Sequence, residues 1–498
     1  MAAGCTDADR SGGVGPSSTS PPAVGAAAPA PAPPTELPCA ADVPSGWTCG
    51  TFTRPLDEAR PDGPTIDLEV RRRDATATPS LGLMTINLGG PGIPTADQAV
   101  ALAERLPPQV RDRFDIVLMD PRATAHAAPV ACPTTPPGVE AALVPYPAPA
   151  DAAAVRSWGD AMTTANTKCV DEIGPGIANM GTWQSAGDLD ALRQALGSPQ
   201  LTYLGYSYGT RLGAVYAQRF PGRVRSMVLD SSVNPSGGNL EFGAGKARAF
   251  STIFDRWGTW CDSGAAPTPR CGTATGALAA YEAARSALPL MDPAVPGLTW
   301  DVSLLEAVAV NLLSGTDLPT WARLAPALEL LGRGDPSGMR SLLGIPPGSP
   351  AAAPTGPVAD ANDALVTINC ADMSDRPTAA EVADLARRSA DRGLRGAGYG
   401  AAIAGQCLGW PAAARPVDDV RADPAATVLV VGSTGDPLTA FDWNRAMADA
   451  LGGVLVTWNG LGHAVAYLRG SACVDGLVSA YLLDPSRIPP PGTSCDAS

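Results

Sequence analysis

The stretch Leu201-Thr202-Tyr203-Leu204-Gly205-Tyr206-Ser207-Tyr208-Gly209-Thr210 decides how this chain folds. Leu201 to Leu204 reads as a buried strand and Ser207 to Phe220 as a helix, so a serine stands at a sharp strand-to-helix turn. Glycine and serine are common, and an isolated Gly-x-Ser-x-Gly means little; the strand before it and the helix after it give it weight. Such a turn strains the serine backbone, and side chains two residues to either side would collide. Glycines at 205 and 209 remove that clash. The hydroxyl then stands above the sheet at a helix N-terminus, where backbone amides favour negative charge developing in a transition state. A simple turn serine is the bland alternative.

Outward from this turn, strands alternate with helices. Ile66, Leu68 and Val70 alternate with polar residues as in a half-buried strand, and Leu83–Ile86 and Ile116–Met119 read as buried strands. Asp188 to Gly197 is helical, with Leu189, Leu192 and Leu196 on one face. Val224–Leu229, Val428–Val431 and Val454–Trp458 complete the strands. The pattern predicts an α/β fold with a mainly parallel central sheet covered on both faces. Between the blocks, over residues 236–424, the texture turns helical: Ser303 and Glu306 suggest a capping box, and Thr378 and Glu381 a second. An insertion there would lie over the strands' carboxyl ends and act as a lid. Trp257, Trp260, Trp300, Trp321 and Trp410 fall in it, most of them as filling for its own core.

A serine hydroxyl needs a base, and the chain has two histidines. Where this turn carries a nucleophile, the chain order is serine, acid, histidine. His463 in Leu461-Gly462-His463-Ala464 fits, and His126 cannot. The acid belongs on a loop after a strand, where Asp436 in Gly432-Ser433-Thr434-Gly435-Asp436-Pro437 follows Val428–Val431. It would fix the histidine tautomer and stabilise the imidazolium. Asp442 is the rival carboxylate inside the next helix, and helix capping is the structural alternative for Asp436. An oxyanion hole needs two donors: the amide of Tyr208, and one from the loop Asn87-Leu88-Gly89-Gly90-Pro91-Gly92. Pro91 has no N–H, which leaves Gly89 or Gly90, and Gly90 is preferred. No Lys-Ser/Thr follows this loop, so it is not a phosphate cradle.

Composition sets the limits. Of 498 residues, 54 are glycine and 51 proline, about a fifth of the chain and below the share that marks low complexity. At 45% hydrophobic the chain can build a large core. The formal charge is −14, with Lys168 and Lys246 the only lysines; such a surface argues against nucleic acid and anionic lipid as partners. No uninterrupted apolar run reaches the roughly 18 residues of a spanning helix. Leaving out Cys5, the cysteines form neighbouring couples: Cys39 and Cys49, Cys132 and Cys169, Cys261 and Cys271, Cys370 and Cys407, Cys473 and Cys495. With no CxxC and two histidines, no metal site is expected, and no cofactor. Five structural disulfides of an exported protein are expected, against buried free thiols as the alternative, with the pairing itself open.

Residues 1–38 read as a disordered Pro/Ala/Ser-rich tether. Ala2-Ala3-Gly4-Cys5 ahead of it is similar to the end of a bacterial lipoprotein signal, which makes Cys5 a lipidation candidate, although the charged and apolar parts of such a signal do not precede it.

In combination, the Asn-x-Gly-Gly-Pro-Gly loop, Asp120-Pro121-Arg122, the elbow Gly205–Thr210 with Gly213, Asp436-Pro437-x-Thr439 and Gly462-His463 closely resemble the secreted tripeptidyl aminopeptidases of GC-rich Gram-positive bacteria. These belong with prolyl aminopeptidases in the α/β-hydrolase fold. The resemblance spans about residues 39 to 498. It implies a core over 39–235 and 425–498 interrupted by a helical lid at 236–424, a Ser207–Asp436–His463 triad with Gly90 and Tyr208 as oxyanion donors, and a monomeric exopeptidase releasing short peptides, tripeptides first among them, from free N-termini. Ala123 and Ala125 stand where the family has glycine, Ile93-Pro94-Thr95 replaces a run of small residues, and Leu88 replaces a common proline, so the pocket shape departs from the family. A carboxylate must meet the substrate ammonium; Glu306, Asp360, Asp363 and Asp372 are candidates, each more simply read as surface. A serine esterase or lipase on the same fold and a non-catalytic surface lipoprotein are the competing readings.

Overall fold

The structure, a computed structural model, describes residues 31–94, 96–124, 152–314, 318–349, 357–421 and 428–497. Cys5, Ala125, His126 and Cys132 lie outside the described residues, as does the side chain of Asp360.

Ten strands form one sheet: β1 (Thr35–Leu37), β2 (Thr48–Pro55), β3 (Thr65–Arg73), β4 (Leu83–Asn87), β5 (Asp115–Met119), β6 (Leu201–Tyr206), β7 (Val224–Asp230), β10 (Val428–Gly435), β11 (Val454–Leu461) and β12 (Ser494–Asp496), while β8 (Leu290–Met291) and β9 (Thr299–Trp300) make a separate ribbon. Their order is β1-β2-β3-β5-β4-β6-β7-β10-β11-β12. Pairing is antiparallel from β1 to β5 and parallel from β5 to β12. The period-2 geometry of a strand explains why the central ones read as unbroken apolar runs. Leu201, Tyr203, Met227, Leu229, Val428 and Val430 join one core. Their neighbours Leu204, Tyr206, Val228, Leu429 and Val431 join the core on the other face. Both faces are covered, so both registers must be apolar.

Three readings change. The expected tether over residues 1–38 is too long, because Thr35–Leu37 pairs with β2. That pairing is made by main chain, and a Cβ at Gly50 would stand 2.6 Å from the Thr35 carbonyl oxygen, so no apolar pattern announces it. The helix expected over Asp188–Gly197 runs from Thr182 to Ala195. Ser303, expected to open a capping box with Glu306, lies inside the helix Val302–Ser314, which is preceded by Asp301, whose carboxylate accepts the Leu304 amide at 2.8 Å. Glu306 is instead buried and accepts the Tyr399 amide. The box at Thr378 and Glu381 is present.

Between β7 and β10 the described chain is mostly helical and has its own core, in which Trp257, Trp300 and Trp321 are fully buried and Trp260 packs at the margin. Trp410 belongs elsewhere, in the cluster with Tyr208. Disulfides join Cys39 to Cys49, Cys261 to Cys271, Cys370 to Cys407 and Cys473 to Cys495. Cys169 is also disulfide-bonded. No described helix is long and apolar enough to cross a membrane.

Candidate active site

Ser207 lies between β6 and the helix Tyr208–Arg219 with φ +53° and ψ −123°. For a non-glycine residue that conformation costs of order 1–3 kcal/mol and must be held by its surroundings. Here the Ser207 amide donates to the Asp230 carbonyl at 3.0 Å, while the Ser207 carbonyl accepts from the Thr210 amide at 2.9 Å and from Thr210 Oγ1 at 2.6 Å. The flanking glycines are sterically required. A Cβ at Gly205 would stand 2.6 Å from the Gly209 carbonyl oxygen, and one at Gly209 would stand 2.5 Å from that of Asn87.

Asn87 ends β4 and starts the glycine loop. Its Oδ1 accepts the Gly89 amide at 3.0 Å. Gly89 (φ +98°) runs against the elbow: a Cβ there would lie 2.8 Å from Ser207 Cβ and 3.1 Å from the Tyr208 nitrogen. Of the two amides left open by the sequence, that of Gly89 is therefore occupied, whereas among the described residues the Gly90 amide meets no acceptor. Tyr208 is the first residue of its helix, and its N–H has no intrahelical partner.

Asp436 follows β10 and is fully buried as a side chain; His463 follows β11 and is 15% exposed. The histidine Nδ1 is 2.9 and 3.0 Å from the two Asp436 oxygens. An ionised carboxylate only accepts, so Nδ1 carries the proton and Nε2 is left as the basic nitrogen. Asp436 also accepts the Leu438 and Thr439 amides, both at 2.8 Å, and Thr439 Oγ1 at 2.7 Å. Burial pushes its pKa up, but the His463 ring and the Thr439 donors outweigh that and hold the carboxyl below the usual aspartate value. The next helix, Phe441–Leu451, takes no side-chain cap. Asp442 is exposed and pairs with Arg248.

Sequence reasoning passed over Asp230 and Ser231 at the end of β7. Both are fully buried. Asp230 Oδ2 accepts the Val465 and Ala466 amides at 2.9 and 2.7 Å, and Ser231 Oγ accepts the Ala464 amide at 2.8 Å. Lys246 was likewise passed over. It reaches from the helix Asn239–Asp262 to the Leu438 carbonyl at 2.7 Å, and burial pushes its pKa down to about 8.

Two of the candidate ammonium receptors, Asp372 and Glu306, are structurally engaged. Asp372 accepts from the Thr182 amide at 2.7 Å and from its hydroxyl at 2.6 Å, and faces Arg211. Because Thr182 Oγ1 donates to Asp372, the Tyr208 hydroxyl, 2.7 Å away, donates to Thr182. Glu306 is held by the Tyr399 amide, and Asp363 is buried. Arg122 is a structural clamp as well, bound to both Asp188 oxygens at 2.6 and 2.8 Å and to the Pro55, Leu56 and Asn179 carbonyls. No group of three or more metal-ligating side chains occurs among the described residues.

A strained serine after a parallel strand, with an aspartate–histidine pair on the loops after two later strands, defines a serine hydrolase of the α/β-hydrolase fold. The family model described as "alpha/beta hydrolase fold" matches residues 87–251, and that described as "TAP-like protein" matches residues 396–495. The chain is 33% identical over 476 residues to the serine protease Hip1 of Mycobacterium tuberculosis, covering 91% of this chain and 88% of that one. It is 31% identical to carboxylesterase B of the same organism, over 90% and 86% of the two chains. To the tripeptidyl aminopeptidase of Streptomyces lividans it is 36% identical over 239 residues, 45% of this chain and 42% of the other. The chain belongs to the TAP-like family of α/β-hydrolases.

Proposed function

We propose that this protein is a serine exopeptidase that releases short peptides, tripeptides first among them, from free N-termini. Ser207 attacks the scissile carbonyl as His463 Nε2 takes its proton, and Asp436 stabilises the resulting imidazolium. The amides of Tyr208 and Gly90 receive the oxyanion. His463 then protonates the leaving amine, and water, activated by the same imidazole, hydrolyses the acyl-enzyme. The observation that carries this reading is the Asp436–His463 hydrogen bond, which leaves Nε2 basic on the same strand ends as a strained serine. Likeness to a tripeptidyl aminopeptidase and a serine protease favours a peptide substrate. Likeness to a carboxylesterase supports an esterase as the second reading.

The helical segment 236–424 acts as a lid on a single core formed by 39–235 and 425–498, since Lys246 and Arg256 of its first helix reach the carbonyls of Leu438 and Gly460. With Asp372 and Glu306 engaged elsewhere, the substrate ammonium is received by another group. The disulfides suit an exported enzyme, with Cys5 as lipid acceptor, working as a monomer. Mass spectrometry of the native protein tests the anchor, and an unmodified Met1 retained in the cytosol would sink it.

The purified protein should be given fluorogenic tripeptide amides, free and N-acetylated, alongside a short-chain ester. Cleavage confined to the free peptides is expected. Equal rates on capped and free peptides reject the exopeptidase, and turnover of the ester alone establishes the second reading.

A further inference from the structure

We propose that Asp230 is the positioning residue that sets His463 against Ser207, and that it does so as a carboxylate. The inference rests on the assignment of Ser207 and His463 as nucleophile and base. One residue touches both halves of the site. Through its main chain, Asp230 accepts the Ser207 amide at 3.0 Å. Through its side chain it accepts the amides of Val465 and Ala466, two and three residues beyond His463. Its neighbour Ser231 fixes the intervening amide of Ala464, and the Ser231 hydroxyl proton returns to Asp230 Oδ1 at 3.1 Å. Three consecutive amides of the histidine loop are thus gathered onto the end of β7, whose carbonyl also holds the nucleophile.

The loop cannot take this shape without a partner. Ala464 has φ +62° and Ser231 has φ +56°, both in the left-handed region that side chains disfavour. An ionised carboxylate suits the task, because its two oxygens offer only acceptor sites to three donors. A neutral carboxyl turns a hydrogen toward the Ser231 hydroxyl, so that hydrogen bond must reverse, and the Val465 and Ala466 amides lose the charge that shortens and strengthens their bonds to Oδ2. The charged and titratable groups facing Asp230 are His463 and Arg469 from the loop after β11, Tyr206 from β6 and, across His463, Asp436. Burial outweighs the hydrogen-bond donors and the His463 ring, and pushes the Asp230 pKa up to about 6. The group therefore changes charge within the range where a histidine base also titrates.

The test measures the rate at which a fluorophosphonate labels Ser207 as a function of pH. This reports nucleophile activation and is indifferent to whether the natural substrate is a peptide or an ester. The logarithm of the wild-type rate is expected to steepen below about pH 6, from the one decade per unit of a single general base toward two, as Asp230 takes its proton. Asp230→Asn is expected to label about tenfold to a hundredfold more slowly near neutrality, with the one-decade slope throughout. Ser231→Ala should also label more slowly but keep the steepening, because Asp230 still titrates. A wild-type slope that stays at one decade per unit overturns the proposal, even if Asp230→Asn fails to fold. So does an Asp230→Asn protein, folded by circular dichroism, with the wild-type rate and profile. Absence of labelling at every pH overturns the triad assignment itself and the inference with it.

Discussion

Replacing Gly89 by alanine tests whether the glycine loop serves the reaction or only connects β4 to the helix Ala96–Arg105. The added Cβ would stand 2.7 Å from the Tyr206 carbonyl oxygen and 2.8 Å from Ser207 Cβ. Ordinary contact begins near about 3.5 Å, so the loop must retreat from the elbow by roughly 0.7 Å. The retreat carries the neighbouring Gly90 amide away from the oxyanion. Losing one such donor costs about 10²–10³ in kcat, or about 2.7–4 kcal/mol of barrier. The positive φ of Gly89 adds a separate stability penalty of about 1–3 kcal/mol. Gly46→Ala isolates that second effect, because Gly46 has φ +92° and nothing within 4 Å of the added Cβ. Thermal unfolding and steady-state kinetics on a tripeptide amide should show a loss of Tm in both variants, larger in Gly89→Ala because of its clash with the elbow, and a fall in kcat, with little change in KM, only in Gly89→Ala. If Gly89→Ala keeps a kcat within about threefold of Gly46→Ala, a barrier difference under 1 kcal/mol, the loop contributes no oxyanion donor.

Ser207→Ala and His463→Ala should each lower turnover by at least about a thousandfold while leaving the unfolding transition in place; residual activity near wild type would contradict the assignment. Asp436→Asn should lower kcat by about 10⁴, by offering His463 the wrong tautomer, as read from kinetics on the same amide. Asp230→Asn should stabilise the fold even as it slows the enzyme. The folded-state pKa of about 6 lies above the ordinary 3.8, so stability from the bound proton is complete below about pH 4 and is lost as the pH rises through 6. The variant's advantage in Tm should therefore open between those pH values, with an upper limit of about 3 kcal/mol at neutrality; an advantage equally large at pH 4 would contradict it.

The parts of the site that sequence reasoning reached share a cause. Gly205 and Gly209 are forced by carbonyls less than 3 Å from any Cβ, and such compulsion leaves a fixed spacing around the serine. Asp436 and His463 stand on loops immediately after apolar strands, so strand periodicity locates them. Asp230 left no such trace, because an aspartate closing a strand looks like any turn residue until the loop it grips, more than 230 positions away, folds against it. Glu306 was misread for a related reason: a Ser-x-x-Glu spacing is the same whether the glutamate turns back on its own helix or is buried against Tyr399. β1 escaped because its pairing uses only main-chain groups, and Leu37 is half exposed.

The sheet's two outermost strands, β1 and β12, have three residues each, and a disulfide fastens each margin: Cys39–Cys49 ties the chain just past β1 to β2, and Cys473–Cys495 holds β12 itself. A short terminal strand offers few free main-chain groups to another polypeptide, whereas β2 and β11, with eight residues each, would offer many. The two staples therefore guard colloidal behaviour as well as folding stability. Under reducing conditions the molecule should become prone to intermolecular strand addition at its margins while the central strands that carry Ser207 remain intact, so aggregation would precede inactivation.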